Sequence, residues 1–216
     1  MPHTVIAIDG PAASGKSSVA RALAKRLGFL YVNTGAMYRA FTWLVLERRI
    51  NPRDAAAVIG LLEKMNMHCR VSHPELAIEL DGIDPTPHLA EAGVNQNVSA
   101  IASIAEVRRV LVALQQSFAR EHDLVMEGRD IGSAVFPETP YKFYIDASTE
   151  VRARRRAAQG HQDEIVARDR QDTSRKASPL IIAEDAHVID SSHLTIDGVV
   201  GEIIGRLKLK GMPVGE

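Results

Sequence analysis

Gly10, Gly15, Lys16 and Ser17 stand at the spacing G-x-x-x-x-G-K-[ST], inside the run Gly10-Pro11-Ala12-Ala13-Ser14-Gly15-Lys16-Ser17-Ser18. Those residue types at that spacing suit a phosphate chain. Glycines let the backbone turn its N–H groups toward an anion, and a helix starting at the end of the loop adds a favourable partial charge. A lysine placed here reaches the β- and γ-phosphates of a nucleoside triphosphate, and the Ser17 hydroxyl can ligate Mg²⁺. The flanks agree with this reading. Val5-Ile6-Ala7-Ile8 reads as a buried strand, and Val19, Ala20, Leu23, Ala24 and Leu27 recur at helical spacing before Gly28 stops the helix.

Arginines form the second chemical signal. Between Arg152 and Lys176 there are eight basic residues against four acidic ones. Taken alone, such a run reads as a solvated helix face with i,i+4 pairs. Its place between two core strands lets it arch over the phosphates, and the guanidinium fork favours bidentate phosphate contacts. Arg39 and Arg129 attend two other strand ends. So many cations fit two phosphorylated ligands facing each other, and phosphoryl transfer between them needs positioning and charge neutralisation rather than covalent chemistry. A phosphate acceptor is already anionic near neutral pH, so it needs no general base.

These residues must be carried on strands and helices in alternation. Phe29–Val32, Leu124–Met126, Lys142–Ile145 and Ala186–Ile189 read as further core strands, ending in Asn33-Thr34-Gly35, Glu127-Gly128-Arg129-Asp130, Asp146 and Asp190-Ser191-Ser192. The expected fold is a three-layer α/β fold with a five-stranded parallel sheet and helices on both faces, whose carboxyl edge collects the polar strand ends. His68–Val71 and Leu76–Leu80 alternate like a small antiparallel insertion. Helices are expected on either side of it, the later ones from about Pro87 to Arg120. The implied organisation is a core of residues 1–33, 121–151 and 177–216, an acceptor-binding region of residues 34–120, and an arginine-rich lid of residues 152–176 that excludes water.

Composition narrows the classes. With 26 basic and 27 acidic residues in 216, a general nucleic-acid-binding role is disfavoured. Cys69 is the only cysteine, so no intramolecular disulfide forms, and a reducing compartment is expected. His68, Cys69 and His73 lie close together but read as ordinary polar residues rather than a metal site. The first strand starts within a few residues of Met1, so no leader is expected, and no apolar run approaches a membrane span. The expectation is a soluble, cytoplasmic protein without nucleic-acid or membrane partners.

At the level of whole motifs the chain resembles the bacterial cytidylate kinases of the nucleoside monophosphate kinase group. The resemblance rests on Ile8–Ser18, Thr34–Arg39 (T-G-A-M-Y-R), Glu127–Pro137 (E-G-R-D-I-G-S-A-V-F-P) and Arg168–Arg175 (R-D-R-Q-D-T-S-R). It implies ATP as donor, Mg²⁺ as cofactor, CMP or dCMP as acceptor, a monomer, and an enlarged monophosphate-binding insertion. It also implies roles: Lys16, Arg39, Arg129 and Arg175 on phosphates, Arg168 and Asp172 on the acceptor's ribose, and Ser99, Arg108 and Asp130 on cytosine, with Thr34 and Tyr38 lining the same pocket. Cytosine presents an N4 amino donor where uracil presents an O4 acceptor, so a carboxylate there separates the two. Asp130 could instead pair with Arg108 or Arg129, and Tyr38 could be a core aromatic. One of Arg154, Arg155 and Arg156 is expected on the donor adenine. Asn33 departs from the acidic residue common in relatives, and the lid is short. The rival readings are a kinase of UMP, AMP, dTMP or shikimate, or a P-loop switch; the chain lacks the N-K-x-D motif of GTP-binding switches.

Overall fold

The computed structural model describes residues 3–72, 74–158, 169–170, 172–174 and 179–213. Five parallel strands form its centre: β1 (Val5–Asp9), β2 (Leu30–Asn33), β5 (Leu124–Gly128), β6 (Tyr141–Asp146) and β7 (His187–Asp190). Their order across the sheet is β2-β5-β1-β6-β7. The sheet is larger than expected. The hairpin β3 (Met67–Ser72) and β4 (Glu75–Leu80) adds two strands, giving β3-β4-β2-β5-β1-β6-β7. The physical reason is the open edge of β2, where Tyr31 N–H donates to Pro74 O at 2.7 Å and Tyr31 registers with Glu75. An unpaired edge accepts a strand wherever one can reach it.

Alternation within β1 explains the layers. Val5 and Ala7 face one buried cluster, with Met37, Leu44 and Met126, while Ile6 and Ile8 face another, with Leu23, Phe143 and Ile203. Both faces of a parallel sheet are thereby covered. The covering helices are α1 (Lys16–Leu27), α2 (Thr34–Glu47), α3 (Ala55–Leu62), α4 (Ala92–Ala102), α5 (Ala105–Phe118), α6 (Thr149–Ala158) and α7 (Ile196–Leu209). A third cluster, including Phe41, Val58, Ile101 and Leu111, joins α2, α3, α4 and α5. The helices expected from about Pro87 to Arg120 are a 3₁₀ turn (Thr86–His88) followed by α4 and α5.

Three local features set the strand ends. Gly15 precedes α1 in the left-handed region (φ 91°), and Gly28 ends it the same way. Asn33 caps α2 by accepting from Ala36 N–H. Beyond β5, Ile131–Val135 form one π-helical turn, anchored by the Asp9 carboxylate, which accepts from Ile131 N–H and Gly132 N–H at 2.8 Å each. This turn was not expected from the sequence.

Candidate active site

The polar strand ends enclose one continuous cavity of about 680 Å³. At its donor end the P-loop presses against the tip of β6. A side chain at Gly10 (φ 152°) would put its Cβ 2.1 Å from Ile145 O, so only glycine lets the loop pass. Lys16 Nζ donates to Pro11 O at 2.9 Å, which lays the ammonium along the inner rim. Ala12, Ala13, Gly15, Lys16, Ser17 and Ser18 face the cavity, while Gly10, Pro11 and Ser14 form the loop's buried back.

Two arginines of the basic run between Arg152 and Lys176 hold this loop from behind. Arg152 donates through Nη1 to Ala12 O at 3.2 Å and to Asp169 Oδ2 at 2.6 Å, and through Nε to Ala147 O. Arg155 donates to Ser14 O at 3.2 Å, to Ser191 Oγ at 3.0 Å and to Ser191 O at 2.7 Å. Carbonyls of the loop are thereby engaged on its outer side. Arg155 and Arg156 both reach the cavity wall, together with Ser191, Leu194 and Thr195; Arg154 is exposed and does not.

At the acceptor end the cavity is lined by Thr34, Tyr38, Arg39, Arg108, Arg129, Asp130 and Asp172. Thr34 Oγ1 donates to Glu127 O at 2.8 Å, tying the start of α2 to the tip of β5. Arg108 and Asp130 form a buried ion pair through Nη2 and Oδ2. The Arg108 guanidinium also stands 5.8 Å from the Tyr38 ring centroid, within cation–π range. Asp172 is buried and bridges two expected site residues: Ser99 Oγ donates to its Oδ1 at 3.1 Å and Arg129 Nε to its Oδ2 at 2.9 Å. Ser99 thus lies behind the wall. Arg168 and Arg175 lie outside the described residues.

Burial dominates the electrostatics. It pulls the Arg39 guanidinium below the ordinary arginine pKa, with Glu127 opposing and Arg129 and Arg156 adding to the shift. Burial likewise pushes the Asp9 carboxyl up to about 7, against the two backbone N–H groups it accepts. Glu127 is a buried carboxylate in the cavity wall, and Tyr31 O–H donates to it at 3.0 Å. Sequence reasoning passed over Glu127. Its one available signal was a charged residue closing the apolar run Leu124–Met126.

A triphosphate-binding loop, a cation-rich wall and a second polar pocket in one cavity are the parts of a phosphoryl-transfer site. The sequence profile described as "Cytidylate kinase" matches residues 6–209. The chain belongs to the cytidylate kinase family. The "Cytidylate kinase" of Desulforamulus reducens is 46% identical over 213 residues, covering 94% of this chain and 96% of that one. That of Corynebacterium glutamicum is 43% identical, covering 93% and 92%, and that of Clostridium botulinum strain Langeland is 40% identical, covering 96% and 99%. Among solved structures, shikimate kinase from Acinetobacter baumannii in complex with shikimate superposes with a TM-score of 0.50 at 16% identity, covering 98% of this chain and 96% of that one. That likeness shows a shared P-loop kinase fold and nothing about the acceptor.

In this cytidylate kinase family member the donor set also bears on a metal. Among the described residues no three His, Cys, Asp or Glu side chains gather to hold one. The P-loop offers the Ser17 hydroxyl at the cavity wall. One hard oxygen ligand beside a phosphate chain fits Mg²⁺, which keeps several waters and takes the rest of its shell from substrate phosphates. Among the described residues no helix is long and apolar enough to cross a membrane.

Proposed function

We propose that the chain transfers the γ-phosphate of Mg·ATP to CMP or dCMP, giving ADP and CDP or dCDP. ATP occupies the P-loop end of the cavity, with its adenine toward Arg155, Arg156, Ser191 and Leu194. The acceptor occupies the other end, where residues 34–120 supply most of the wall. Mg²⁺, held by Ser17 and the nucleotide, supplies charge neutralisation on the phosphates.

The chain's own residues do the rest by position and charge. Lys16 and Arg129 stabilise the charge that spreads over the transferring group, and Arg175 is assigned there by its motif. Arg39 holds the acceptor's phosphate. Asp172 takes the acceptor's ribose, with Arg168 assigned beside it. Because Ser99 donates to Asp172, we read Ser99 as orienting that carboxylate rather than as meeting the base itself. The cytosine lies against the Arg108–Asp130 pair, with Thr34 and Tyr38 beside it. A carboxylate there accepts from the N4 amino group, and a guanidinium donates to N3 or O2.

The observation that carries this reading is that buried pair, set at the acceptor end of a cavity whose other end is the P-loop. Burying two charges costs several kcal/mol of desolvation each. A ligand edge with matching donor and acceptor gives the expense a purpose. The test compares CMP, dCMP and UMP as acceptors for Arg108→Met and Asp130→Asn. The ratio of kcat/KM for CMP over UMP should fall about tenfold or more in both, the value of one lost bidentate contact. An unchanged ratio would leave the pair a structural feature only.

A further inference from the structure

Acceptor-side cations are held in two different ways. Arg108 and Arg129 each grip a carboxylate directly, whereas among the described residues Arg39 grips none. Its guanidinium nevertheless has a defined berth. It folds back over the first turn of α2, where a Cβ on Gly35 would stand 3.1 Å from Nη1 and 3.8 Å from Cζ. The anion that most favours its charge is Glu127, which lies beyond ion-pair contact across the cavity wall. Glu127 is itself fixed, because its Oε1 accepts from Tyr31 O–H at 3.0 Å. The Tyr31 oxygen in turn accepts from Asn33 Nδ2 at 3.3 Å, which leaves the phenolic proton committed to Glu127. An aspartate at position 33 could not donate in this way. Arg21 caps the arrangement, its guanidinium 5.0 Å from the Tyr31 ring centroid.

We propose that Gly35, Glu127 and Tyr31 are positioning residues that aim Arg39 at the phosphate of the acceptor. Gly35 leaves open the shelf on which the guanidinium rests. Glu127 attracts it from outside contact distance, and Tyr31 fixes the carboxylate that does so. A direct ion pair would occupy some of the guanidinium's five N–H donors and offset part of its charge. A counter-charge held at a distance keeps the guanidinium in place with its N–H groups available to an anion. This inference rests on the reading that Arg39 holds the acceptor's phosphate.

The test measures binding of CMP and of cytidine, which lacks the phosphate, by calorimetric titration and competition. Arg39→Met should weaken CMP by about 100-fold, as expected for lost charge-assisted hydrogen bonds, and leave cytidine unchanged. Gly35→Ala and Glu127→Gln should each weaken CMP about tenfold with cytidine within about twofold, a size typical of coupled neighbours. A Cβ on Gly35 would also stand 3.3 Å from Asn33 Oδ1, the cap of α2, so the gain in helix propensity is offset there and Gly35→Ala should melt close to the unmodified protein. In the Arg39→Met background it should have no further effect. Tyr31→Phe, which keeps the ring under Arg21, serves as a second probe of the carboxylate should Glu127→Gln fail to fold. Normal CMP binding by Gly35→Ala, and by Glu127→Gln or Tyr31→Phe, while Arg39→Met binds poorly would overturn the positioning role, as would equal losses for CMP and cytidine. Normal CMP binding by Arg39→Met would instead overturn the reading of Arg39 on which the role rests.

Discussion

Asp9 shows how much of the site rests on one buried carboxylate. It sits at the tip of β1, directly before the P-loop, and both its oxygens accept backbone N–H groups from the π-helical turn that follows Asp130. Burial and the neighbouring Asp130 favour its protonated form, while those N–H groups and Lys16 favour the ionised one. Burial wins, leaving the group near 7 against an ordinary 3.8. The native state therefore binds this proton more tightly than the unfolded chain. The contribution of Asp9 to stability is greatest below about pH 4 and declines as pH rises through about 7. A carbon-13 NMR titration of the Asp9 carboxyl should show a midpoint near neutrality. A midpoint near 4 would mean that the two N–H bonds outweigh burial.

Among elements, the β3–β4 hairpin and the P-loop mark the extremes of attachment. The hairpin pairs with the main sheet at Tyr31 and Glu75, with Arg21 pairing to Glu75 at 2.7 Å between exposed side chains. Surface pairs of that kind contribute about 0–1 kcal/mol. Only Ile78 and Leu80 of β4 are buried with Val5 and Leu30 in the core. Amides of β3 and β4 should therefore exchange with deuterium faster than those of β1 and β5, whose residues are all buried. Equal protection would show that the hairpin folds as one unit with the core. The elements also show what could be read from sequence. The P-loop and the five core strands depend on near neighbours along the chain, so spacing and periodicity reveal them. The attachment of the hairpin to β2 depends on residues more than forty positions apart in sequence, and no local pattern signals which edge it chooses. The same limit applies to the site. The arginines between Arg152 and Lys176, Arg152 and Arg155 among them, were expected to arch over the phosphates because their charge is visible locally. Their hydrogen bonds to Ala12 and Ser14 span some 140 residues and are not. Glu127 acquires its interest only when β5 places it between Tyr31 and Arg39.

Across the whole molecule, formal charge nearly cancels, at −1, yet one cavity gathers Lys16, Arg39, Arg108, Arg129, Arg155 and Arg156. That concentration makes sense if two anionic ligands meet there, since each arginine not held by a carboxylate or carbonyl needs an anion to offset its desolvation. The cavity's continuity from Ser191 at one end to Arg108 at the other supplies the geometry for donor and acceptor to bind together. The acceptor's identity is the central claim, and it is tested most directly on the unmodified protein. With saturating Mg·ATP, ADP formation should be driven by CMP or dCMP with kcat/KM at least about tenfold above that for UMP, AMP or dTMP. Equal or faster turnover with any of those three, or no ADP formed on adding CMP, would contradict the account.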